Sequence, residues 1–128
     1  MTNKKIIVAG GGFGGFKVVK KLLARGFEVL LISEGENFVF TPLLVEVSTG
    51  TLLPDDIRIP FTECFKNKKF SFVLGKITKT DFEQKKVYIG EQVYAYDYLV
   101  LGTGSCKRNL DIPGLEYGLP LKNIHSMF

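Results

Sequence analysis

The chain has 128 residues, of which 45% are hydrophobic and 23% charged; a globule of this length hides roughly two-thirds of the surface its unfolded chain would expose, so one cored domain is expected and disorder is excluded. A net charge of +4 and a pI near 9.1 would suit a phosphate-rich partner. Yet Lys17, Lys21 and Arg25 form one stripe of an amphipathic segment, and Lys66, Lys68 and Lys69 form a short run before an apolar stretch. With no RNA-recognition or helix-turn-helix pattern beside them, both read as solvated faces and no nucleic-acid partner is expected.

The first predicted element is a strand at Lys5–Ala9, a compact β-branched run left through glycines, which is the pattern of a buried parallel strand. From residue 13 to 25 the period changes: Phe16, Val19, Leu22 and Leu23 share one side and Lys17, Lys20, Lys21 and Arg25 fall away from it, a helix that Gly26 is placed to end. Val29, Leu30, Leu31 and Ile32 make Glu28–Ser33 a second buried strand, which completes a βαβ unit. Residues 35–60 carry Pro42, Pro54 and Pro60 and read as a long irregular loop, a length that usually has a functional reason. A short helix at 61–66 and a strand at Phe70–Leu74 follow. The alternating segments 77–82, 86–89 and 93–96 predict an antiparallel meander inserted in the parallel sheet. Tyr98–Leu101 resumes the buried-strand pattern, leads to a turn at 102–104, and the tail 111–128 reads as loop. The class is α/β, a Rossmann-like domain occupying residues 1–128 and incomplete at its carboxy end.

Gly10, Gly12 and Gly15 satisfy the spacing G-x-G-x-x-G between a strand and a helix. Gly10 permits the tight turn, Gly12 lets the backbone approach a pyrophosphate, and Gly15 lets helix and strand pack closely. The helix N-terminus adds free N–H groups and a partial positive charge. Glu34 stands 19 positions after Gly15, at the end of the second strand. Its carboxylate is placed to accept hydrogen bonds from ribose hydroxyls and to repel the 2′-phosphate of NADP. Strand, glycines, helix, strand and acid occur in the order a dinucleotide site requires. This fingerprint leaves FAD and NAD equally open.

The opening IIVAGGGFGGFKVVKKL, the segment FVFTPLLVEVSTGTLLPDDIRIPF, the run YDYLVLGTGS and the stretch IPGLEYGLPLKN together resemble the type II NADH dehydrogenases, FAD-containing NADH:quinone oxidoreductases that do not pump protons. The glycine loop and the 98–104 strand-turn are shared across the pyridine nucleotide-disulfide reductase superfamily, whereas Thr41-Pro42-Leu43-Leu44, Ser48-Thr49-Gly50 and Gly118-Leu119-Pro120-Leu121 tilt the likeness to the NADH dehydrogenases. The resemblance implies bound FAD, with its pyrophosphate at Gly12, Phe13, Gly14 and Gly15 and its adenosine ribose on Glu34. It places Thr41, Pro42 and Leu43 near the flavin ring, main-chain groups near Ile77 at the adenine, and Thr103 and Gly104 closing over the cofactor. Pro42, Leu43 and Leu44 would form a dry wall beside the ring. Phe38 and Phe40 read as core. Gly102 stands where the family has alanine, a loss of one methyl.

Family members are much longer, and their second glycine fingerprint for NADH, a later Gly-Asp motif, the quinone site and the membrane-binding helices have no counterpart in these residues. The expectation is therefore an amino-terminal part of such an enzyme, inactive by itself, with NADH and quinone as substrates of the parent, membrane contact only through the absent part, and homodimer formation left open. The compartment expected is the cytoplasm, since the start runs directly into a strand and Cys64 and Cys106 form neither a metal-ligand spacing nor a Cys-x-x-Cys pair, or the cytoplasmic face of the inner membrane for the parent. Two other readings stay open. A sulfide:quinone oxidoreductase would need two cysteines facing the flavin, for which Cys106 is the candidate and Cys64 reads as core; by default Cys106 is a free, shielded thiol. A stand-alone, non-catalytic dinucleotide-binding module would use the same glycine loop. His125, the single histidine, belongs to no constellation and reads as surface.

Overall fold

The computed structural model describes residues 4–106 and 111–118; the expectations for His125 and for residues 119–121 lie outside the described residues. In chain order the elements are β1 (Lys5–Ala9), α1 (Phe13–Ala24), β2 (Glu28–Ser33), β3 (Asn37–Val39), α2 (Leu44–Ser48), β4 (Arg58–Pro60), α3 (Phe61–Cys64), β5 (Phe70–Leu74), β6 (Lys79–Asp81), β7 (Lys86–Ile89), β8 (Gln92–Ala95) and β9 (Tyr98–Leu101). The chain divides into two compact units, Met1–Phe38 with Pro60–Gly104 and Val39–Ile59 with Ser105–Phe128.

The first unit is built on a four-stranded parallel sheet in the order β5-β2-β1-β9. Its central strands are apolar on both faces because both faces are covered. On one face Val8, Val29, Leu31, Phe72 and Val100 pack with Phe16, Val19, Leu22 and Leu23 of α1. On the other, Ile7, Leu30, Ile32, Val73 and Leu99 pack with Val87, Ile89 and Tyr94 of the meander. The meander forms its own antiparallel sheet, β6-β7-β8, rather than joining the parallel ladder. It is inserted in the chain between β5 and β9 and serves as the third layer. Lys85 at φ 52° and Gly90 at φ 58° turn its two hairpins.

α1 stops one residue before the pattern predicts, at a Gly-terminated cap. Gly26 is left-handed at φ 81°, its N–H donates to the Leu23 carbonyl at 3.0 Å, and the Phe27 N–H donates to the Leu22 carbonyl at 3.1 Å. Lys69 Nζ holds the Gly26 carbonyl at 2.7 Å. Beneath the helix a chain of rings runs Phe13–Phe38–Phe16–Phe65–Phe70, with centroid separations from 4.3 to 5.1 Å. α3 is shorter than expected, since Phe65, Asn67 and Phe70 are committed to this packing and to a turn in which the Phe70 N–H donates to the Asn67 carbonyl.

The second unit replaces most of the predicted irregular loop with short helical pieces, a 3₁₀ turn at Thr41–Leu43, α2 and a second 3₁₀ turn at Pro54–Ile57. Leu44, Val47 and Ile57 form its core, with Val39, Leu43 and Leu52 against them. Prolines at the first turns pre-set φ, and the Asp56 carboxylate accepts from the Leu53 N–H at 2.7 Å. Periodicity could not register pieces this short. No helix among the described residues is long and apolar enough to cross a membrane.

One ionic clamp holds β1 beside β9. Asp97 Oδ2 accepts from the Lys5 N–H at 2.8 Å, the Asp97 N–H donates to the Lys5 carbonyl at 2.9 Å, and Lys4 Nζ lies 3.6 Å from Oδ1. The Lys5 amide, with a smaller contribution from Lys4, holds the Asp97 carboxyl below its ordinary pKa. A depressed folded-state pKa stabilises above the ordinary carboxylate range, and the contribution is lost as pH falls through the folded value. Asp97→Ala should therefore lower the urea midpoint at pH 7, and the gap from the parent chain should close on acidification. A gap that persisted at pH 2 would show that the clamp acts through something other than its charge.

Candidate functional site

All four parallel strands point their carboxyl ends into one cleft of about 330 Å³, which lies wholly within the first unit. β1 contributes Gly10, Gly11 and Gly12; β2 contributes Ser33 and Glu34; β5 leads into Gly75, Lys76 and Ile77; β9 leads into Gly102, Thr103 and Gly104. A larger recess of about 430 Å³ lies toward the opposite strand ends, with Lys5, Glu28, Ser71 and Tyr94 in its walls. It contains no helix terminus and no glycine loop. The carboxyl-end cleft is the candidate site, since the strand order turns back there from β5 across β1 to β9, the switch point at which open α/β sheets hold ligands.

Each loop is tethered by one more backbone bond beyond its strand. The Gly10 N–H donates to the Ile32 carbonyl at 2.8 Å, Gly75 to Ser33 at 2.9 Å, and Gly102 to Ala9 at 2.8 Å. The glycines then divide into two kinds. Gly10 is left-handed at φ 100°, and a Cβ there would strike the Gly102 carbonyl. A Cβ on Gly15 would strike the Gly10 carbonyl oxygen, and one on Gly11 would strike the Phe61 ring. The fold itself requires these three. Gly12 and Gly14 would meet nothing within 4 Å. Their missing side chains leave open space in front of the helix end.

α1 begins at that space with Gly12 as its N-cap and Phe16 N–H to Gly12 carbonyl, 2.8 Å, as its first bond. No side chain caps the terminus and no acidic residue stands in its first turn. A helix end of this kind can hold an anion.

The expected residues can now be placed. Gly10, Gly12, Glu34, Ile77, Thr103 and Gly104 line the one cleft. Gly14 and Gly15 belong to the first turn of α1, and Phe13, 46% exposed, meets Phe38 edge-on at 5.1 Å. Ile77 turns its side chain into the meander-side core, which leaves its main chain to the cleft. Thr41, Pro42 and Leu43 belong to the second unit, where Thr41 and Pro42 are exposed and Leu44 is buried in the core rather than forming part of a wall. On α2, one oxygen of Glu46, Oε2, is buried without a hydrogen-bond partner. Phe38 is core as expected, whereas Phe40 is 42% exposed.

Three features escaped the sequence reading. Gly11 against Phe61 fails to stand out because any G-x-G tolerates many residues between its glycines. Ser33 was read only as the end of a strand. Lys76 was not singled out, though its place just past a parallel strand end was a usable signal. Neither cysteine is in a disulfide among the described residues. Cys64 is packed against the phenylalanine core, and burial, then the neighbouring Glu63, push its thiol pKa up. Cys106 is exposed rather than shielded.

Residues 4–127 match the pyridine nucleotide-disulphide oxidoreductase family. The chain belongs to that family. It is 31% identical over 126 residues to the type II NADH:quinone oxidoreductase of Staphylococcus aureus, covering 94% of this chain and 31% of that protein. Among solved structures, NDH2 of Plasmodium falciparum in complex with NADH superposes with a TM-score of 0.84 at 27% identity, over 98% of this chain and 27% of that one. The sulfide:quinone oxidoreductase of Aquifex aeolicus superposes with a TM-score of 0.73 at 30% identity, over 79% of this chain and 24% of that one. The chain thus spans about a third of the length of its curated relatives.

The two kinds of glycine should separate by mutation. Gly10→Ala and Gly15→Ala should each cost about 2–4 kcal/mol or prevent folding, because backbone has no rotamer with which to yield. Gly12→Ala should be near neutral, and Gly14→Ala should stabilise by about 0.5–1 kcal/mol by removing a flexible residue from a helix. Urea denaturation of the four variants reads this directly. Equal losses at all four positions would refute the division.

Proposed function

We propose that this chain is an FAD-binding amino-terminal segment of a flavoprotein that passes electrons from NADH to a quinone. The observation that carries the proposal is the open space before α1. Two glycines leave it unfilled, an uncapped helix end faces it, and Glu34 borders the same cleft. That is room and charge for a pyrophosphate, with a carboxylate one strand away for a ribose.

In this reading the N–H groups of the α1 first turn, from Gly12 through Phe13 and Gly14 to Gly15, hold the pyrophosphate. Glu34 accepts from the ribose hydroxyls and disfavours a 2′-phosphate, main chain at Ile77 meets the adenine, and Thr103 and Gly104 flank the path toward the ring. The resemblance adds Thr41, Pro42 and Leu43, which belong to the second unit, as residues of the ring. The bound flavin supplies the hydride and electron transfer, so these residues need no nucleophile or general acid and serve to bind, orient and exclude water. NADH, quinone, any membrane face and any second subunit are met by the rest of the enzyme, which the relatives carry beyond the third that this chain matches.

NADH is favoured over sulfide as donor by the state of the thiols. Cys64 is packed against the phenylalanine core, which leaves Cys106 as the one exposed thiol among the described residues where sulfur transfer needs two.

Titration of the purified chain with FAD, NAD and NADP, followed by flavin fluorescence and calorimetry, should give the order FAD, then NAD, then NADP. Gly12→Ala should fold normally yet bind FAD at least about tenfold more weakly. Preference for NAD over FAD would favour the stand-alone module instead. The chain alone should show no NADH:quinone turnover, and turnover at about 1 s⁻¹ or faster would show that it is a complete catalyst.

A further inference from the structure

Among the described residues two charged ones line the cleft, Glu34 from the end of β2 and Lys76 from just past the end of β5. They line one cavity, yet neither is in an ion pair with any described residue. Each charge is therefore available to a ligand that offers hydrogen-bond donors to one and acceptors to the other.

The sheet order says which part of a ligand each would meet. β1, β2 and β5 are consecutive neighbours, so the helix end, Glu34 and Lys76 follow one another across the sheet. Strand spacing sets β5 about 9–10 Å from β1. A nucleotide whose phosphates sit on α1 and whose ribose sits on Glu34 brings its base to the loop after β5. In that loop Ile77 is turned into the core, and Lys76, its neighbour, is exposed and borders the cleft.

We propose that Lys76 is a base-recognition residue, whose ammonium donates to a ring-nitrogen acceptor of the adenine held at the β5 end of the cleft. This rests on the reading of the cleft as an FAD site and adds to it a side-chain contact where the resemblance supplied only main chain. Adenine offers three ring nitrogens as acceptors, and a charge-assisted hydrogen bond to one of them is worth more than a neutral one. Lys76 is a binding determinant for the adenylate half and has no part in the redox step.

The test uses the 128-residue chain, Lys76→Met and Lys76→Arg. FAD affinity is read by fluorescence quenching, and ADP and inorganic pyrophosphate are read as competitors of FAD. Lys76→Met keeps the length and removes the donor; it should weaken FAD and ADP about tenfold while leaving pyrophosphate competition unchanged. Lys76→Arg should retain most of the ADP affinity. Unchanged ADP affinity in Lys76→Met overturns the proposal while leaving the FAD reading intact. Equal loss of ADP and pyrophosphate also overturns it, assigning the lysine to the phosphates. Absence of FAD and ADP binding in the parent chain overturns both readings. Circular dichroism spectra matching the parent establish that the variants fold.

Discussion

Three stretches of backbone meet at the carboxyl ends of β1 and β9 with no side chain between them. The Gly10 carbonyl lies so close to the Cα of Gly15, and the Gly102 carbonyl so close to the Cα of Gly10, that no Cβ fits at either position, and a Cβ on Gly102 would lie 3.4–3.5 Å from the N and Cα of Gly15. That contact lets α1 start immediately after β1 and lie flat across the sheet, where Val19 is fully buried over Val8, Val29 and Leu31. A methyl group at Gly10 or Gly15 would push helix, strand and loop apart together. Every other feature of the first unit presupposes that they touch.

The same junction explains why the ligand-facing part of the loop is cheap to keep. Close backbone packing on one side of the turn fixes the path of residues 10–15, so the glycines on the other side need contribute nothing to stability. A site whose vacant volume is maintained by rigid neighbours is preorganised, and little ordering has to be supplied when a ligand arrives. Phe61 supports this from below, since its ring fills the space under Gly11 and is itself held by Phe72 at 5.4 Å. The aromatic core and the glycine loop form one mechanical assembly, although they lie fifty residues apart in sequence.

What was legible in the sequence follows from this. β1 and β2 were readable with their boundaries because a central strand covered on both faces has to be apolar, and the edge strands β5 and β9, though partly exposed, keep the same short apolar runs. The glycine spacing and Glu34 were readable because each residue type answers a steric or charge demand that few others meet. The second unit was not, since prolines and 3₁₀ turns leave no period over pieces of three to five residues. The meander was readable as an antiparallel insertion between β5 and β9, but alternation reports that a strand is half-buried without reporting which strands pair, so its forming a separate sheet was not. Asp97 was invisible for a different reason: its partner is the main chain of Lys5, and main chain carries no sequence signal.

The net charge of +4 is a poor guide to how the cleft attracts an anion. The cations are spread along the whole chain, while the described charged residues at the cleft are one carboxylate and one ammonium, which cancel. What remains is the uncapped end of a 12-residue helix, worth about half a positive charge and concentrated at a few N–H groups. A directional field of this kind selects for an anion that can approach within hydrogen-bonding distance, and Gly12 and Gly14 determine which anions can. Electrostatic attraction and steric permission therefore come from the same six residues, and neither would be useful without the other.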